Sequence, residues 1–183
     1  MASVITATNS SGLTTSADNS GVLQLASGAG NLITVPSVTG TAMVSGNMPA
    51  FNAYKTSNQS ISATTFTKVS CDVEEFDTNN CYDTSNNRFT PTVAGYYYFG
   101  GGVVLTSGSP TRAILSIFKN GSEKKRMFDS AVTGVAGGAT GGCIIYMNGT
   151  TDYAELYTYW NASVTITGNQ VECNFYGSLM RSA

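Results

Sequence analysis

Short apolar and aromatic segments recur from Pro49 to the C-terminus, at intervals of about ten residues and with turn residues between them. This spacing is typical of the short strands of a sandwich or jelly roll. No segment shows a sustained apolar repeat at about 3.6 residues, the period that an amphipathic helix requires. The sequence therefore predicts an all-β domain. Its predicted strands are PAFNAYKT, TFTKVSCDV, RFTPTV, YYYFGGGVVL, RAILSIFKN, GGCIIYMN, YAELYTYW, SVTIT and VECNFYGSLM.

One predicted strand carries aromatic side chains on both faces. Because side chains alternate along a strand, Tyr96 and Tyr98 share one face while Tyr97 and Phe99 share the other. One pair enters the core, and the other would form an exposed apolar patch of the kind that monomers avoid. We therefore expect the second pair to meet a neighbouring subunit; the alternative is that loops of the same chain cover it. The glycines at 100–102 predict a bulge or a close approach of the backbone.

The first 47 residues differ from the rest. Asp18 is the only charged residue before Lys55, and the segment has no aromatic residue, so it buries too little surface to form its own core. Two short strands joined by a turn are predicted at Val22–Leu25 and Leu32–Val35. We expect residues 1–47 to be an arm that orders against its own copies or a partner surface, and residues 48–183 to be the head. The alternative is a disordered arm. The apolar residues assigned to attachment are Leu23, Leu25, Leu32, Ile33 and Val35.

Composition excludes several classes of function. The chain has no histidine, which removes Ser-His-Asp and Cys-His catalysis and His-ligated zinc. Its net charge is −2, so neither nucleic acid nor an anionic membrane is indicated as a partner. No apolar run approaches the roughly 18 residues that span a bilayer, and the start MASVITATNSSG lacks the pattern of a secretory signal. We expect no enzyme, no membrane insertion and no cofactor.

Four cysteines are present, and none forms a Cys-x-x-Cys pair, so a structural zinc site is not expected. We expect four reduced, buried thiols, and a Cys71–Cys81 disulfide is the alternative. The cysteines are Cys71, Cys81, Cys143 and Cys173.

Acidic residues concentrate in CDVEEFDTNNCYD. We expect a solvated loop here; calcium binding is the alternative because hard oxygen ligands are close together in sequence. Paired carboxylates that hydrolyse a glycan are a third interpretation. The residues are Asp72, Glu74, Glu75, Asp77 and Asp83.

Two further segments are candidates for receptor contact. SEKKRMF follows the turn Asn120-Gly121 and places three cations at an expected hairpin tip, which is either plain solvation or a site for anionic glycans. TDYAELYTYWNAS gathers aromatic side chains that suit sugars or protein partners, with the core or a subunit contact as the alternative. Asn148-Gly149 predicts a second hairpin. The candidate residues are Lys124, Lys125, Arg126, Tyr153, Tyr157, Tyr159 and Trp160, and Trp160 is the aromatic residue assigned to a receptor-facing loop.

The region from Ala50 onward resembles the globular heads of the complement 1q type, which belong with the tumour-necrosis-factor-like jelly rolls. The most specific match is Tyr82–Phe99, followed by looser matches at Ala50–Ala53, Thr65–Val69, Lys119–Gly121, Gly141–Met147 and Phe175–Met180. Within the first segment, Tyr82, Asp83, Asn87, Phe89, Pro91, Gly95 and the aromatic block follow the order and spacing of the family. Tyr176 stands where the family usually has a small hydroxyl residue, and Ser178 where it usually has an aromatic.

This resemblance implies a ten-stranded jelly-roll sandwich that forms a tight trimer, with the second aromatic face towards the threefold axis. It assigns six aromatic residues to the core and the trimer interface. They are Tyr96, Tyr97, Tyr98, Phe99, Phe175 and Tyr176.

The arm resembles segments of bacteriophage tail-fibre and structural proteins, and it has no Gly-X-Y repeat. We expect a non-enzymatic homotrimer on a virion, a short fibre, spike or capsid decoration protein. Its arm would bind other virion proteins, and its head would face a host glycan or protein receptor. It would assemble in the host cytoplasm and reside on the tail or the capsid. The alternatives are a secreted complement 1q-like binding module and a glycan-degrading phage spike.

Overall fold

The computed structural model describes residues 23–26, 32–35, 46, 48–132 and 137–183. The chain divides into two units, Met1–Thr41 and Ala42–Ala183. In the described part of the chain no helix is long and apolar enough to cross a bilayer.

Within its described residues, the first unit contains one antiparallel strand pair, β1 (Leu23–Ala26) and β2 (Leu32–Val35). Leu23 lies opposite Val35, and Ala26 lies opposite Leu32. The two short strands predicted here are confirmed. The expectations for the other residues of the arm lie outside the described residues, and the boundary between residues 47 and 48 stays a prediction.

The second unit is built from strands, as predicted. In chain order they are β3 (Ala50–Tyr54), β4 (Gln59–Ile61), β5 (Thr67–Lys68), β6 (Val73–Asp77), β7 (Tyr82–Asp83), β8 (Arg88–Phe89), β9 (Gly95–Ser107), β10 (Arg112–Lys119), β11 (Ser122–Ala131), β12 (Gly138–Met147), β13 (Ala154–Trp160), β14 (Val164–Ile166) and β15 (Asn174–Ser182).

These strands form two antiparallel sheets. Sheet I has the order β4-β14-β9-β15-β3-β6, with β12 paired to β9. Sheet II has the order β11-β10-β13-β8-β7, with β5 paired to β13. Strands that are adjacent in sequence often lie in different sheets, as β12 and β13 do, so the chain crosses repeatedly between the two layers.

An aromatic cluster joins the sheets. Phe51 of sheet I stacks on Phe89 of sheet II with ring centroids 4.5 Å apart, and on Tyr82 at 5.1 Å. Phe175 meets the same ring edge-on at 4.9 Å. All four side chains are buried. Because the cluster takes rings from both layers, it fixes how the sheets pack against each other.

The two Asn-Gly turns have different outcomes. Asn120 and Gly121 both have positive φ, at 53° and 78°, and they connect β10 to β11 as the predicted hairpin. The hairpin expected at Asn148-Gly149 is wrong, because this turn leads from β12 in sheet I to β13 in sheet II. Gly149, at φ 72°, packs its Cα against the backbone of Ala94, where no side chain would fit.

Two segments expected to be loops are strands at sheet edges. SEKKRMF lies in β11, the edge of sheet II, and VEEFD forms β6, an edge of sheet I. Both are largely exposed, because an edge strand has a neighbour on one side only.

The glycine run in β9 allows the close approach of a neighbouring ring and does not form a bulge. The pairing of β9 with β12 continues through Gly100, Gly101 and Gly102 without a shift of register. A Cβ at Gly100 would lie 2.5 Å from the ring of Tyr176. The missing side chain makes room for that ring.

Candidate functional site

The tyrosine block is divided between the two faces of β9 as alternation predicts. Tyr97 and Phe99 are fully buried, together with Phe175. Tyr96 and Tyr98 lie on the opposite face of sheet I, which points away from the core. The geometry therefore separates core aromatics from surface aromatics within a single strand.

The surface aromatics continue onto β12. Tyr96 lies opposite Tyr146, with ring centroids 5.6 Å apart, and Tyr98 lies opposite Ile144. Exposure is 46% for Tyr96, 51% for Ile144 and 44% for Tyr146. Met180 of β15 is 58% exposed and borders a shallow depression with Tyr96 and Ile144. We call this surface the tyrosine face; it consists of Tyr96, Tyr98, Ile144, Tyr146, Tyr176 and Met180.

Glycines hold two of these rings close to the sheet. Tyr176 lies directly opposite Gly100, and the Tyr98 hydroxyl lies where a Cβ of Gly142 would be. The Tyr98 and Tyr176 rings are 6.4 Å apart and tilted by 38°. Tyr176 therefore fits against β9, since Gly100 receives its ring.

The alternative, that loops of the same chain cover the tyrosine face, does not hold within residues 48–132 and 137–183, because four of its side chains stay about half exposed. Two of the charges at its border are held by neighbours. Lys119 contacts Asp152 at 2.6 Å beside Tyr146, and Asn52 donates to Glu75 at 2.6 Å on the far side. The exposed Arg181 lies opposite Tyr96 and lines the same depression, so the face is apolar apart from this one cation at its edge.

The tyrosine face includes residues that the sequence analysis missed. Ile144, Tyr146 and Met180 were not assigned to the interface. The signal for the first two was available, because CIIYM alternates in the same way as the tyrosine block: Ile145 and Met147 are buried and their neighbours are exposed.

Sheet II carries a second group of aromatic residues on its solvent side. Phe118 stacks on Tyr157 with centroids 3.9 Å apart, and Phe66 lies 5.4 Å from both Phe118 and Tyr159. All four are half-buried. We call this the sheet II patch; it consists of Phe66, Phe118, Tyr157 and Tyr159. Burial raises the pKa of Tyr157.

Paired charges flank the sheet II patch on both sides. On one side the buried Glu155 accepts hydrogen bonds from Lys68 at 3.0 Å and Arg88 at 2.9 Å, and Arg88 lies 3.6 Å from the centre of the Tyr153 ring. The other side has a chain of ion pairs along β10 and β11. It runs through Arg112, Asp129, Arg126 and Glu123.

Two residues assigned to receptor-facing loops are placed differently. Trp160 is fully buried, because it ends β13 on the core side of sheet II, so the expectation that it faces a receptor is wrong. Arg126 lies in a strand and is held by Glu123 at 3.0 Å and Asp129 at 2.7 Å. Lys124 and Lys125 are exposed on the same strand and not on a loop tip. A receptor-facing role for these two lysines stays a prediction.

Carboxylates of the acidic segment accept hydrogen bonds from other groups of the chain. Asp72 accepts from the Thr56 backbone at 3.0 Å, and Asp83 accepts from the Ser85 hydroxyl at 2.6 Å. In the residues that the structure describes, no three His, Cys, Asp or Glu side chains come together to hold a metal ion.

The four cysteines are free thiols; three of them are buried, and the expectation of burial is wrong for Cys143, which is half-buried. Cys71 lies against Cys173 and not against Cys81, whose sulfur is 3.5 Å from the Asn79 carbonyl oxygen. The contact with Cys173, together with burial, raises the pKa of the Cys71 thiol. The structure thus shows no Cys71–Cys81 disulfide.

The ion pairs along β11 predict a pH effect. Hydrogen bonds from Arg112 and then Arg126 lower the pKa of Asp129 to about 2. Because the folded pKa is below the ordinary value of about 3.9, this contribution to stability is complete above that value and is lost as the pH falls towards 2. We expect an NMR titration of the Asp129 carboxyl to show a midpoint near 2, and Arg112→Gln to raise it.

Asp83 is the matched control for this titration. Its pKa is also lowered to about 2, but by the side chains of Ser85 and Asn86. Arg112→Gln should leave the Asp83 midpoint unchanged. A parallel rise of both midpoints would contradict the assignment to a local ion pair.

Several solved structures have a similar fold, and two of them align with about three quarters of this chain. Murine APRIL aligns with a TM-score of 0.57 at 7% identity, covering 73% of this chain and 99% of that chain. The globular domain of zebrafish complement 1qA aligns with a TM-score of 0.53 at 15% identity, covering 74% and 99%. The chain has the complement 1q and tumour-necrosis-factor jelly-roll fold.

A third structure extends beyond this jelly-roll region. Vertex protein P5 of PRD1 aligns with a TM-score of 0.56 at 14% identity, covering 96% of this chain and 91% of that chain. No protein-family model and no curated protein sequence matches the chain. The fold that the sequence resemblance implied is therefore confirmed by structure.

Proposed function

We propose that this chain is a non-enzymatic structural protein of a bacteriophage virion, a homotrimeric short fibre, spike or decoration protein. Residues 1–47 attach it to the particle, and residues 48–183 form a jelly-roll head that points outward to a host receptor. The residues that attach the arm are Leu23, Leu25, Leu32, Ile33 and Val35.

The tyrosine face carries this proposal. Tyr96, Ile144, Tyr146 and Met180 are about half exposed in one copy and form one contiguous apolar surface. Burying the remaining half of such a side chain contributes roughly 1 kcal/mol, so three copies gain on the order of 10 kcal/mol from these four alone. Association costs a similar amount in lost freedom of motion. Tyr98 and Tyr176 supply the surplus, because their rings lie on the same face.

A trimer suits receptor attachment. Three copies around an axis present three identical outer surfaces, and a weak contact at each surface becomes strong when all three engage together. The vertex protein of PRD1, whose alignment extends over 96% of this chain, supports the assignment of arm and head to a particle component.

The attachment role is tested with the paired strands of the arm. We expect the double variant Leu25→Asp/Ile33→Asp to remain trimeric in sedimentation velocity but to be absent from purified particles. The two residues lie opposite each other, and charges there would disrupt an apolar contact. Gln24→Asp/Thr34→Asp is the matched control, since it adds the same charges at the adjacent pair.

Electron microscopy of the intact particle supplies the second measurement. The map should show three head-sized densities around an axis on the tail or capsid, and antibodies against the head should label it. A chain that is absent from the particle, or that shortens host polysaccharides on incubation, would contradict the proposed function.

A further inference from the structure

We propose that the sheet II patch binds a neutral carbohydrate. The observation behind this inference is the combination of four half-buried aromatic rings with charged groups that neutralise one another. The inference rests on the proposed function for its biological context. It deepens that function by naming the class of ligand that the receptor would present.

The aromatic rings form one continuous group. Phe66 lies 5.4 Å from Phe118 and from Tyr159, and Phe118 stacks on Tyr157. Each ring is partly exposed. This chain solvates most of its surface with Ser, Thr, Asn and Gly, and only 11% of its residues are charged. Four rings together on a solvent-facing sheet therefore distinguish this patch, like the tyrosine face, from this polar surface, and aromatic rings provide the apolar contact that the C–H face of a sugar needs.

Polar groups stand beside the rings. Tyr157 and Tyr159 carry hydroxyls that both donate and accept hydrogen bonds. Arg88 is partly exposed and adds a planar donor group, while the buried Glu155 is already engaged by Lys68 and Arg88.

The balance of charge favours a neutral ligand. Lys68 and Arg88 share the Glu155 carboxylate, and Asp83 lies opposite Arg88 in the pairing of β7 with β8. The ion pairs along β11 are equally balanced. The face thus has four cations and four carboxylates, which are Lys68, Arg88, Arg112 and Arg126 against Asp83, Glu123, Asp129 and Glu155.

This balance distinguishes the patch from two other surfaces. The tyrosine face is largely apolar, with Arg181 as a cation at its edge, and suits a copy of itself. Lys124 and Lys125 are exposed on β11, form no ion pair within the residues that the structure describes, and are the residues that an anionic glycan would contact if it bound here. Because sheet II is the other layer of the sandwich, its patch stays accessible when three tyrosine faces meet.

The test measures glycan binding by the full chain. The probes are neutral oligosaccharides of glucose, galactose, mannose and N-acetylglucosamine, with uronate-bearing and sulfated oligosaccharides of matched length. We expect binding to a neutral probe, weakened at least tenfold by Tyr159→Ala and about threefold by Tyr159→Phe, which keeps the ring and removes the hydroxyl. Lys124→Ala/Lys125→Ala should leave the affinity unchanged.

Two further measurements keep the result interpretable. If Tyr159→Ala lowers the thermal midpoint, nitration of tyrosines in the unaltered protein replaces it: the bound glycan should protect Tyr157 and Tyr159, compared with the same protein without glycan, and leave the reactivity of Tyr146 unchanged. Ile144→Asp, which alters the tyrosine face, should keep the affinity per chain, because the patch lies within one copy. Loss of trimers would then count against the proposed function alone.

The inference is overturned by any of three results. The first is that no neutral probe binds. The second is that only acidic probes bind and that Lys124→Ala/Lys125→Ala abolishes their binding. The third is that neutral probes bind equally well to Tyr159→Ala of unaltered stability.

Discussion

Ile144→Asp should convert the proposed trimer into single copies and raise the protein concentration at which half of it dissociates by at least about 1,000-fold. Ile144 is at the centre of the tyrosine face, 51% exposed in one copy and paired with Tyr98. A carboxylate buried at a contact costs several kcal/mol, and three copies around an axis bring three such charges together, with Arg181 as the cation that lines the same depression. Because Ile144 already faces solvent in a single copy, the fold of each head should be unaffected. Sedimentation velocity over a dilution series measures the change.

Ala131→Asp is the control for this charge. Ala131 is exposed at the end of β11, on the edge of sheet II, so the same substitution adds the same charge away from the tyrosine face. It should sediment as the unaltered trimer. If Ile144→Asp also remains trimeric, or if the unaltered chain is already a single copy in dilute solution, the tyrosine face is not the subunit contact.

The faces of β9 could be predicted from sequence because alternation in a strand is a strict geometric rule. Tyr97 and Phe99 are buried, and Tyr96 and Tyr98 lie on the other face, as the order of the residues requires. The hairpin at Asn120-Gly121 was equally predictable, since its two residues adopt the positive φ that a tight turn needs. In both cases the determining interaction is local.

The turn at Asn148-Gly149 and the edge strands depend on pairing between segments that are distant in sequence, so they could not be predicted from the sequence. The Asn148-Gly149 turn has the residues of a hairpin, yet it connects two sheets, because β12 pairs with β9 and β13 pairs with β10. The edge strands β6 and β11 are largely polar, so they lack the alternation that marks a half-buried strand. Their strand geometry comes from pairing with β3 and β10.

For the aromatic residues of β13, the sequence predicted which side chains share a face but not which face is buried. Parity separated Trp160 from Tyr157 and Tyr159, and the structure agrees. Parity alone does not say which face is the core, and Trp160 is on the buried side. The tyrosines gained Phe66 and Phe118 as neighbours from segments 39 or more residues away in the chain, which only the pairing of β13 with β5 and β10 brings together.

Phe51→Ala should be among the most destabilising single substitutions in the head. The Phe51 ring is in contact with Tyr82, Phe89 and Phe175, which belong to both sheets, and it is buried. Removing a buried phenylalanine ring costs about 3–5 kcal/mol, because transfer energy is lost and the surrounding rings cannot close the cavity. For a domain of this size that lowers the thermal midpoint by about 10 °C.

Phe76→Ala is the matched comparison for this prediction. Phe76 lies opposite Asn52 in the neighbouring strand and is 48% exposed, so its ring loses about half as much burial and leaves no closed cavity. Its cost should stay near 1 kcal/mol. Both variants are compared with the unaltered chain by chemical unfolding at one fixed protein concentration, because association shifts the apparent stability. Equal losses for the two phenylalanines would mean that the aromatic cluster is not what holds the two sheets together.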